Sequence, residues 1–265
     1  MNKFSIFLQI LSKNIFKPKN ILNLVKERVE VQDDAKHKIH GYEYDYNSIE
    51  EFFKDKFPDI DLIQYELELN EIETHVDNFL TKINLEKYPS AEKPYPVDYS
   101  INPNSRNFLY FLCRILKPKI VIETGVAYGF SSIYILKALE HNNSGKLYSI
   151  DSIFRPWQSK KMIGSVIPEK LRNRWNLILG SSHEKLQEVF DSLDDPDIFI
   201  HDSLHSYKNM IFEFECATNN LKHGMIISDD ILDNDAFYDF TSREKMKNMI
   251  IKVQDDVGLG IIEKI

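Results

Sequence analysis

Glycine is scarce in this chain. The 265 residues include only 9 glycines, where average usage near 7% gives roughly 19, so each one is expected at a place where the backbone needs it. Cysteine is scarcer still. Cys113 and Cys216 are too few for a disulfide framework or a structural zinc site, and a reducing, cytoplasmic setting is the simplest reading. No uncharged apolar run approaches the roughly 18 residues of a membrane span. Positive charge is in deficit: 33 Lys and Arg face 41 Asp and Glu, a formal net charge of −8, which argues against nucleic acid as a partner. What the chain does have is 43% hydrophobic residues, with 17 Phe and 13 Tyr, enough to bury a sizeable core and unlike a disordered sequence.

The charge is unevenly distributed. Up to Glu30 there are six basic residues and two acidic ones. Within that stretch Phe4, Phe7, Leu8, Leu11 and Ile15 follow helical spacing among Lys3, Lys13, Lys17 and Lys19. Two readings stay open for residues 1–17: an amphipathic helix in peripheral contact with a membrane surface, or a helix packed on its own domain or on a second subunit of a homo-oligomer. From Gln32 to Ser100 the balance reverses, with 17 acidic residues against 7 lysines. Ser48 followed by Glu51 reads as a capping box, and Ile60 to Ile83 has helical spacing. Prolines from Pro89 to Pro103 then mark a connector. Residues 1–103 are thus expected to form a mainly helical extension, and 104–265 a separate unit.

That second unit alternates regularly. Helices are expected at Arg106–Leu116, Ser131–Glu140, His183–Leu193, Tyr207–Leu221 and Ser242–Asp256. Strands are expected at Ile120–Thr124, Lys146–Asp151, Trp175–Leu179, Asp197–Asp202, Gly224–Asp229 and Leu259–Ile265. Such alternation means an α/β fold: a Rossmann-like, doubly wound, mostly parallel sheet with helices on both faces. Ligands of these sheets sit at the carboxyl ends of the strands.

The first strand runs into Glu123-Thr-Gly125-Val-Ala-Tyr-Gly129-Phe-Ser131-Ser. Two glycines four apart let a ligand approach the backbone, but Ala127 breaks the dinucleotide pattern G-x-G-x-x-G and no Walker-type lysine follows. The second strand ends in Asp151, where a carboxylate can accept both hydroxyls of a ribose. The third ends in Gly180-Ser-Ser182-His183, which offers polar groups to an adenine edge. Glu123 would repel a pyrophosphate and suits a positively charged ligand, a property of S-adenosylmethionine.

These motifs, with Phe199-Ile-His-Asp202-Ser-Leu-His205-Ser-Tyr and Gly224-Met-Ile-Ile-Ser-Asp229-Asp230-Ile, resemble a class I S-adenosylmethionine-dependent methyltransferase. Over residues 104–265 the chain is most similar to small-molecule O-methyltransferases of the catechol, macrocin and cephalosporin-cluster type. The resemblance implies that Glu123, Gly125 and Gly129 hold the aminoacyl end of the cofactor and Ser131 its carboxylate. Asp151 would take the ribose, and Ser182 and His183 would lie near the adenine. Asp202, Asp229 and Asp230 are expected at the ends of adjacent strands, and converging carboxylates repel unless a cation joins them. All-oxygen ligands suit Mg²⁺, and similar relatives place such a set here. His205 stands where those relatives carry the base that deprotonates the acceptor, with His201 and His183 as rivals.

The resulting expectation is a Mg²⁺-assisted O-methyltransferase of a small hydroxylated acceptor, a sugar, glycoside or secondary metabolite. The insertion Phe154–Arg174 and the N-terminal region would wall the acceptor site. The rivals are a nucleotide-dependent oxidoreductase, disfavoured by Ala127 and Glu123, and a non-catalytic accessory protein that keeps the fold.

Overall fold

The computed structural model describes residues 18–97, 100–155 and 157–264. The segment 1–17, with both of its readings, lies outside the described residues. Among the described residues no helix is long and apolar enough to cross a membrane.

The N-terminal region contributes α1 (Pro18–His37), α2 (Ile49–Lys56) and α3 (Ile63–Leu85). Ser48 caps α2 by accepting from the Glu51 N–H at 3.2 Å. Next comes α4 (Pro103–Leu116), where Pro103 takes the first turn and Asn102 caps the Asn104 N–H. It stops at Lys117, which is left-handed with φ 50°, just before Pro118.

The alternating part follows as β1 (Ile120–Thr124), α5 (Phe130–His141), β2 (Lys146–Asp151), β3 (Trp175–Leu179), α6 (Ser182–Ser192), β4 (Ile198–His201), α7 (Tyr207–Asn220) and β5 (Gly224–Ser228). The chain ends with α8 (Ala236–Glu244), β6 (Lys247–Gln254) and β7 (Val257–Lys264). The seven strands order as β3-β2-β1-β4-β5-β7-β6. β1 to β5 are parallel, while β7 runs antiparallel to β5 and β6 antiparallel to β7.

The last third corrects one expectation. Ser242–Asp256 is not a helix: α8 ends at Glu244, and residues 247–254 form an edge strand that turns at Asp255-Asp256 into β7. Met249, Ile251 and Val253 alternate onto one face, which is strand spacing, whereas the charges of Lys245, Lys247 and Lys252 imitate a solvated helix.

Alternation also divides the core. Val121, Ile198, Ile200 and Ile227 face the layer built from α2, α3, α4 and α5. Ile122, Phe199 and Ile226 face the layer built from α6, α7 and α8. α2 and α3 belong to the first layer, with Phe52 and Phe53 each 1% exposed and packed on Phe108 and Phe111. A fully buried Phe contributes about 1.5–3 kcal/mol, so this aromatic cluster is a major bond between extension and sheet. Backbone bonds reinforce it. Asp45 N–H donates to Ile250 O, and Lys252 N–H to Tyr46 O, on the free edge of β6.

Candidate functional site

Strand register assembles the site. Thr124 on β1 pairs with His201 on β4, which pairs with Ser228 on β5. The next residues, Gly125, Asp202 and Asp229, therefore emerge side by side at the carboxyl edge. The approach of β1 to β4 explains Gly125: its φ is 84°, and a Cβ there would lie 1.8 Å from the Asp202 carbonyl oxygen. Gly129 has φ 91°, and a Cβ would meet Gly164 Cα at 2.9 Å.

A cavity of about 960 Å³ opens along this edge, at the upper end of ligand-pocket sizes. Gly125, Ser131, Asp151, Ser182, His183 and Asp202 all line it. Asp151 accepts backbone N–H bonds from Ala127 at 2.8 Å and Ser152 at 2.6 Å, which fixes its carboxylate beneath the glycine turn. Ser182 starts α6 and donates to Asn209 Oδ1 at 3.2 Å. The His183 ring stacks on Phe212 with centroids 4.0 Å apart.

Glu123 is elsewhere. It is fully buried, absent from the cavity wall, and accepts hydroxyl bonds from Ser131 at 3.1 Å, Ser149 at 2.6 Å and Ser132. Burial pushes its carboxyl up to about 7 against those bonds. It braces the start of α5 from below, so the argument that its charge selects a positive ligand in the cleft does not apply.

The insertion and the N-terminal region do reach the cavity. Gly164 N–H donates to Ala127 O and Val166 N–H to Tyr128 O, which ties the insertion to the glycine turn. Trp157 Nε1 donates to Pro94 O at 3.0 Å. Tyr95, Arg155, and Lys26, Glu27 and Glu30 of α1 complete the wall. Asp34 holds α1 in place by accepting from Tyr207 N–H at 2.7 Å.

Behind the wall lies a polar hub that the sequence reading missed. Glu213 of α7 is fully buried and accepts four bonds: from Thr124 Oγ1 at 2.5 Å, His201 Nδ1 at 2.6 Å, Ser203 Oγ at 2.8 Å and Asn209 Nδ2 at 3.0 Å. Burial alone would raise its pKa, but the facing His201 and the bonds hold it at about 2. Burial pulls His201 below its ordinary value. A signal was available: Met210, Glu213, Phe214 and Ala217 share one face of α7, so an acid occupies a core position.

The acidic cluster lies beyond this hub. Burial, then the charge of Asp229, raises Asp202 well above the usual carboxylate range. Burial and Asp230 push Asp229 to about 7. His205 lies between two carboxylates, with Nδ1 3.3 Å from Asp230 and Nε2 4.0 Å from Asp202. Burial pulls His205 down, but the hydrogen bond and charge of Asp230, with Asp202 and Asp229, push it up to about 9. His205 is also off the cavity wall. His205 therefore lies behind the cavity wall, held by Asp230, rather than on it. Nor do Asp202, Asp229 and Asp230 form one three-ligand group. Among the described residues, the group whose ligand atoms lie within 4.8 Å of one another is His205, Asp230 and Asp233.

Comparison with known proteins agrees with this geometry. Residues 122–231 match the family model of a methyltransferase domain. No match was found among curated protein sequences. An SAH-bound methyltransferase from Podospora anserina superposes with a TM-score of 0.51 at 15% identity, covering 72% of this chain and 95% of that one. The O-methyltransferase from Bacillus cereus in complex with SAH gives 0.51 at 16%, covering 83% and 98%. The O-methyltransferase TomG from Streptomyces achromogenes, involved in tomaymycin synthesis and in complex with SAM, gives 0.51 at 14%, covering 71% and 95%. At these identities the superpositions establish the fold, and the family match covers residues 122–231. Residues 122–231 are therefore similar to a methyltransferase domain, on a fold shared with SAH- and SAM-bound methyltransferases.

Proposed function

We propose that this chain methylates a hydroxyl of a small polyhydroxylated acceptor, such as a sugar, glycoside or secondary metabolite. The observation that carries the reading is that the cofactor-side residues and Asp202 share one cavity. Two of the structural neighbours are O-methyltransferases by their own descriptions, in keeping with an oxygen nucleophile.

The Gly125–Gly129 turn and Ser131 would hold the aminoacyl end of S-adenosylmethionine. Glu123 keeps Ser131 and Ser132 in place from beneath. Asp151 would accept the ribose hydroxyls, and Ser182 and the stacked His183 would border the adenine. The acceptor would enter between α1 and the insertion, against Tyr95 and Arg155. Methyl transfer is an in-line displacement, so much of the catalysis is positioning within a closed wall. The hydroxyl must lose a proton, and Asp202, the member of the acidic cluster on the cavity wall, would take it in its ionised form, a state that burial and Asp229 oppose.

A divalent cation is part of the reading. The residues fit one: buried carboxylates repel each other, and His205 Nε2 is buried with no partner. Asp230 would belong to its ligands. Mg²⁺ is the ion proposed, held by few carboxylates and keeping several waters; a bound divalent ion would supply Lewis acidity to the acceptor oxygen.

The test is calorimetry with S-adenosylhomocysteine, followed by methyl transfer from labelled cofactor to panels of hydroxyl- and amine-bearing acceptors. Asp151→Ala should weaken cofactor binding about a hundredfold or more, from two charge-assisted bonds worth together about 3 kcal/mol at least. An affinity within about fivefold of wild type refutes the ribose role. Labelling of amines alone refutes oxygen transfer.

A further inference from the structure

We propose that Arg155 selects acceptors that carry an anionic group, a carboxylate or a phosphate monoester, with Tyr95 as the second donor to that group. The inference rests on the reading above that the acceptor lies against Tyr95 and Arg155, and it names the charge of that acceptor.

The first observation is an unpaired cation on the cavity wall. The two lysines of the wall are spoken for: Lys26 lies 3.9 Å and Lys208 3.4 Å from the Glu30 carboxylate. Arg155 forms no ion pair among the described residues. Its Nη1 donates to the neutral Tyr88 Oη at 2.9 Å, and its Nε is buried without a partner. Glu27 is the wall acid that feels its charge, but burial raises the Glu27 carboxyl against Arg155, so Glu27 is a weak counter-charge. A guanidinium withdrawn from water is costly unless it meets an opposite charge, and a planar fork matches carboxylate and phosphate oxygens.

The second observation is that this cation is held in place. The Phe154 and Arg155 N–H groups both donate to Gln158 Oε1, at 3.1 and 2.9 Å, and the Gln158 N–H returns to Arg155 O at 3.0 Å. Gln158 is buried and also borders the cavity. The guanidinium lies 5.5 Å from the Phe154 ring centroid. Such fixing lowers the entropy lost when a ligand binds, and a side chain that served only solubility would not need it.

Tyr95 supplies the third. It lines the same cavity, and its Oη is buried without a partner. Its backbone is fixed, because Tyr128 Oη donates to Tyr95 O at 2.9 Å, with the two rings edge to face at 5.1 Å. Burial, then the charge of Asp151, raises the phenol and keeps it a donor. Two neighbouring side chains of one wall thus lack acceptors. A neutral hydroxyl could satisfy Tyr95, but only an anion also compensates Arg155.

The experiment uses the full chain, isotope-labelled at arginine, saturated with S-adenosylhomocysteine and titrated with inorganic phosphate and with acetate. The Arg155 Nε–H resonance is identified by its absence from Arg155→Lys. The expected result is a saturable shift of that resonance at millimolar anion, and the tighter of the two probes distinguishes a phosphate from a carboxylate. A methyl-transfer panel of sugars against their uronic acids and phosphate esters gives the second readout. Wild type should favour the charged member by at least about tenfold in kcat/KM, the worth of one charge-assisted bond. Arg155→Met should bring that preference to within about threefold of unity, while Arg155→Lys keeps part of it and Tyr95→Phe lowers it by about threefold or more. If no panel member is methylated, the resonance decides. The proposal is overturned if neither anion moves the resonance, or if Arg155→Met keeps the preference. It is equally overturned if Arg155→Met weakens S-adenosylhomocysteine by about tenfold or more, which assigns Arg155 to the cofactor's own carboxylate. Failure of wild type to bind S-adenosylhomocysteine counts against the methyltransferase reading instead.

Discussion

Glu213→Ala is the substitution whose consequences the structure defines most fully. It removes the acceptor of four donors at once. Three of those donors, on Thr124, His201 and Asn209, belong to residues no more than 4% exposed. The fourth, Ser203, borders the cavity, where water can satisfy it. A buried donor left unpaired costs about 1–3 kcal/mol, and three are left by the substitution. About 4 kcal/mol is therefore expected, a fall in melting temperature of about 10 °C for a chain of this size. The pH dependence has a definite sign. Glu213 is held at about 2, below its ordinary 4.5, so its stabilisation is complete above pH 4.5 and lost as pH falls towards 2. Burial lowers His201 from 6.5, so proton uptake by the unfolded chain opposes folding increasingly below pH 6.5. Wild type should thus lose stability in two stages on acidification; because Glu68 and Glu71 are also held at about 2, Glu213→Ala should make the lower stage shallower rather than remove it. Urea denaturation from pH 3 to 8 measures both effects. A variant that melts within about 2 °C of wild type, or keeps the full wild-type slope below pH 4.5, refutes the reasoning.

Two further outcomes follow from the glycine turn. Gly125→Ala should disable the cofactor site, because its Cβ would lie 1.8 Å from the Asp202 carbonyl oxygen and the φ of 84° is unfavourable for an L side chain; unchanged S-adenosylhomocysteine affinity would contradict the close β1–β4 approach. Glu123 gives the opposite sign to Glu213. Its carboxyl is raised to about 7, so the native state binds a proton between pH 4.5 and 7 and stability falls as pH rises through that window. Glu123→Gln should remove this fall and stabilise the chain at pH 8 by on the order of 2 kcal/mol; a variant with the wild-type slope shows that the carboxyl titrates normally.

The parallel half of the fold was legible because each strand is a short apolar run closed by a turn signal, with a helix-length amphipathic stretch before the next. Those cues are local. The final hairpin was not legible for the same reason. In Lys245-Met-Lys-Asn-Met-Ile-Ile-Lys the lysines fall at near-helical intervals, while the alternation of Met249, Ile251 and Val253 acquires meaning only beside β7. The site divides along the same line. Gly125, Asp151, Ser182, His183 and Asp202 were found because strand ends converge by topology, and all five border the cavity.

Glu123 and His205 illustrate what topology alone does not decide, which is the direction of a side chain. Glu123 lies on β1 next to Thr124, and strand alternation sends the two to opposite faces. One meets Ser131, Ser132 and Ser149 under α5; the other meets Glu213 under α7. His205 follows Asp202 by three residues, the right interval for a base, but the loop directs it towards Asp230 and away from the cavity. The sequence reading placed both in the cleft, and neither is on the cavity wall. Two acids near this edge, Glu213 and Asp233, carry no motif. Glu213 is an acid at a core position of α7, and Asp233 lies one 3-10 turn beyond a strand end. A polar residue at an apolar position is costly unless satisfied, so such positions are where a sequence search for the supporting half of an active site gains most.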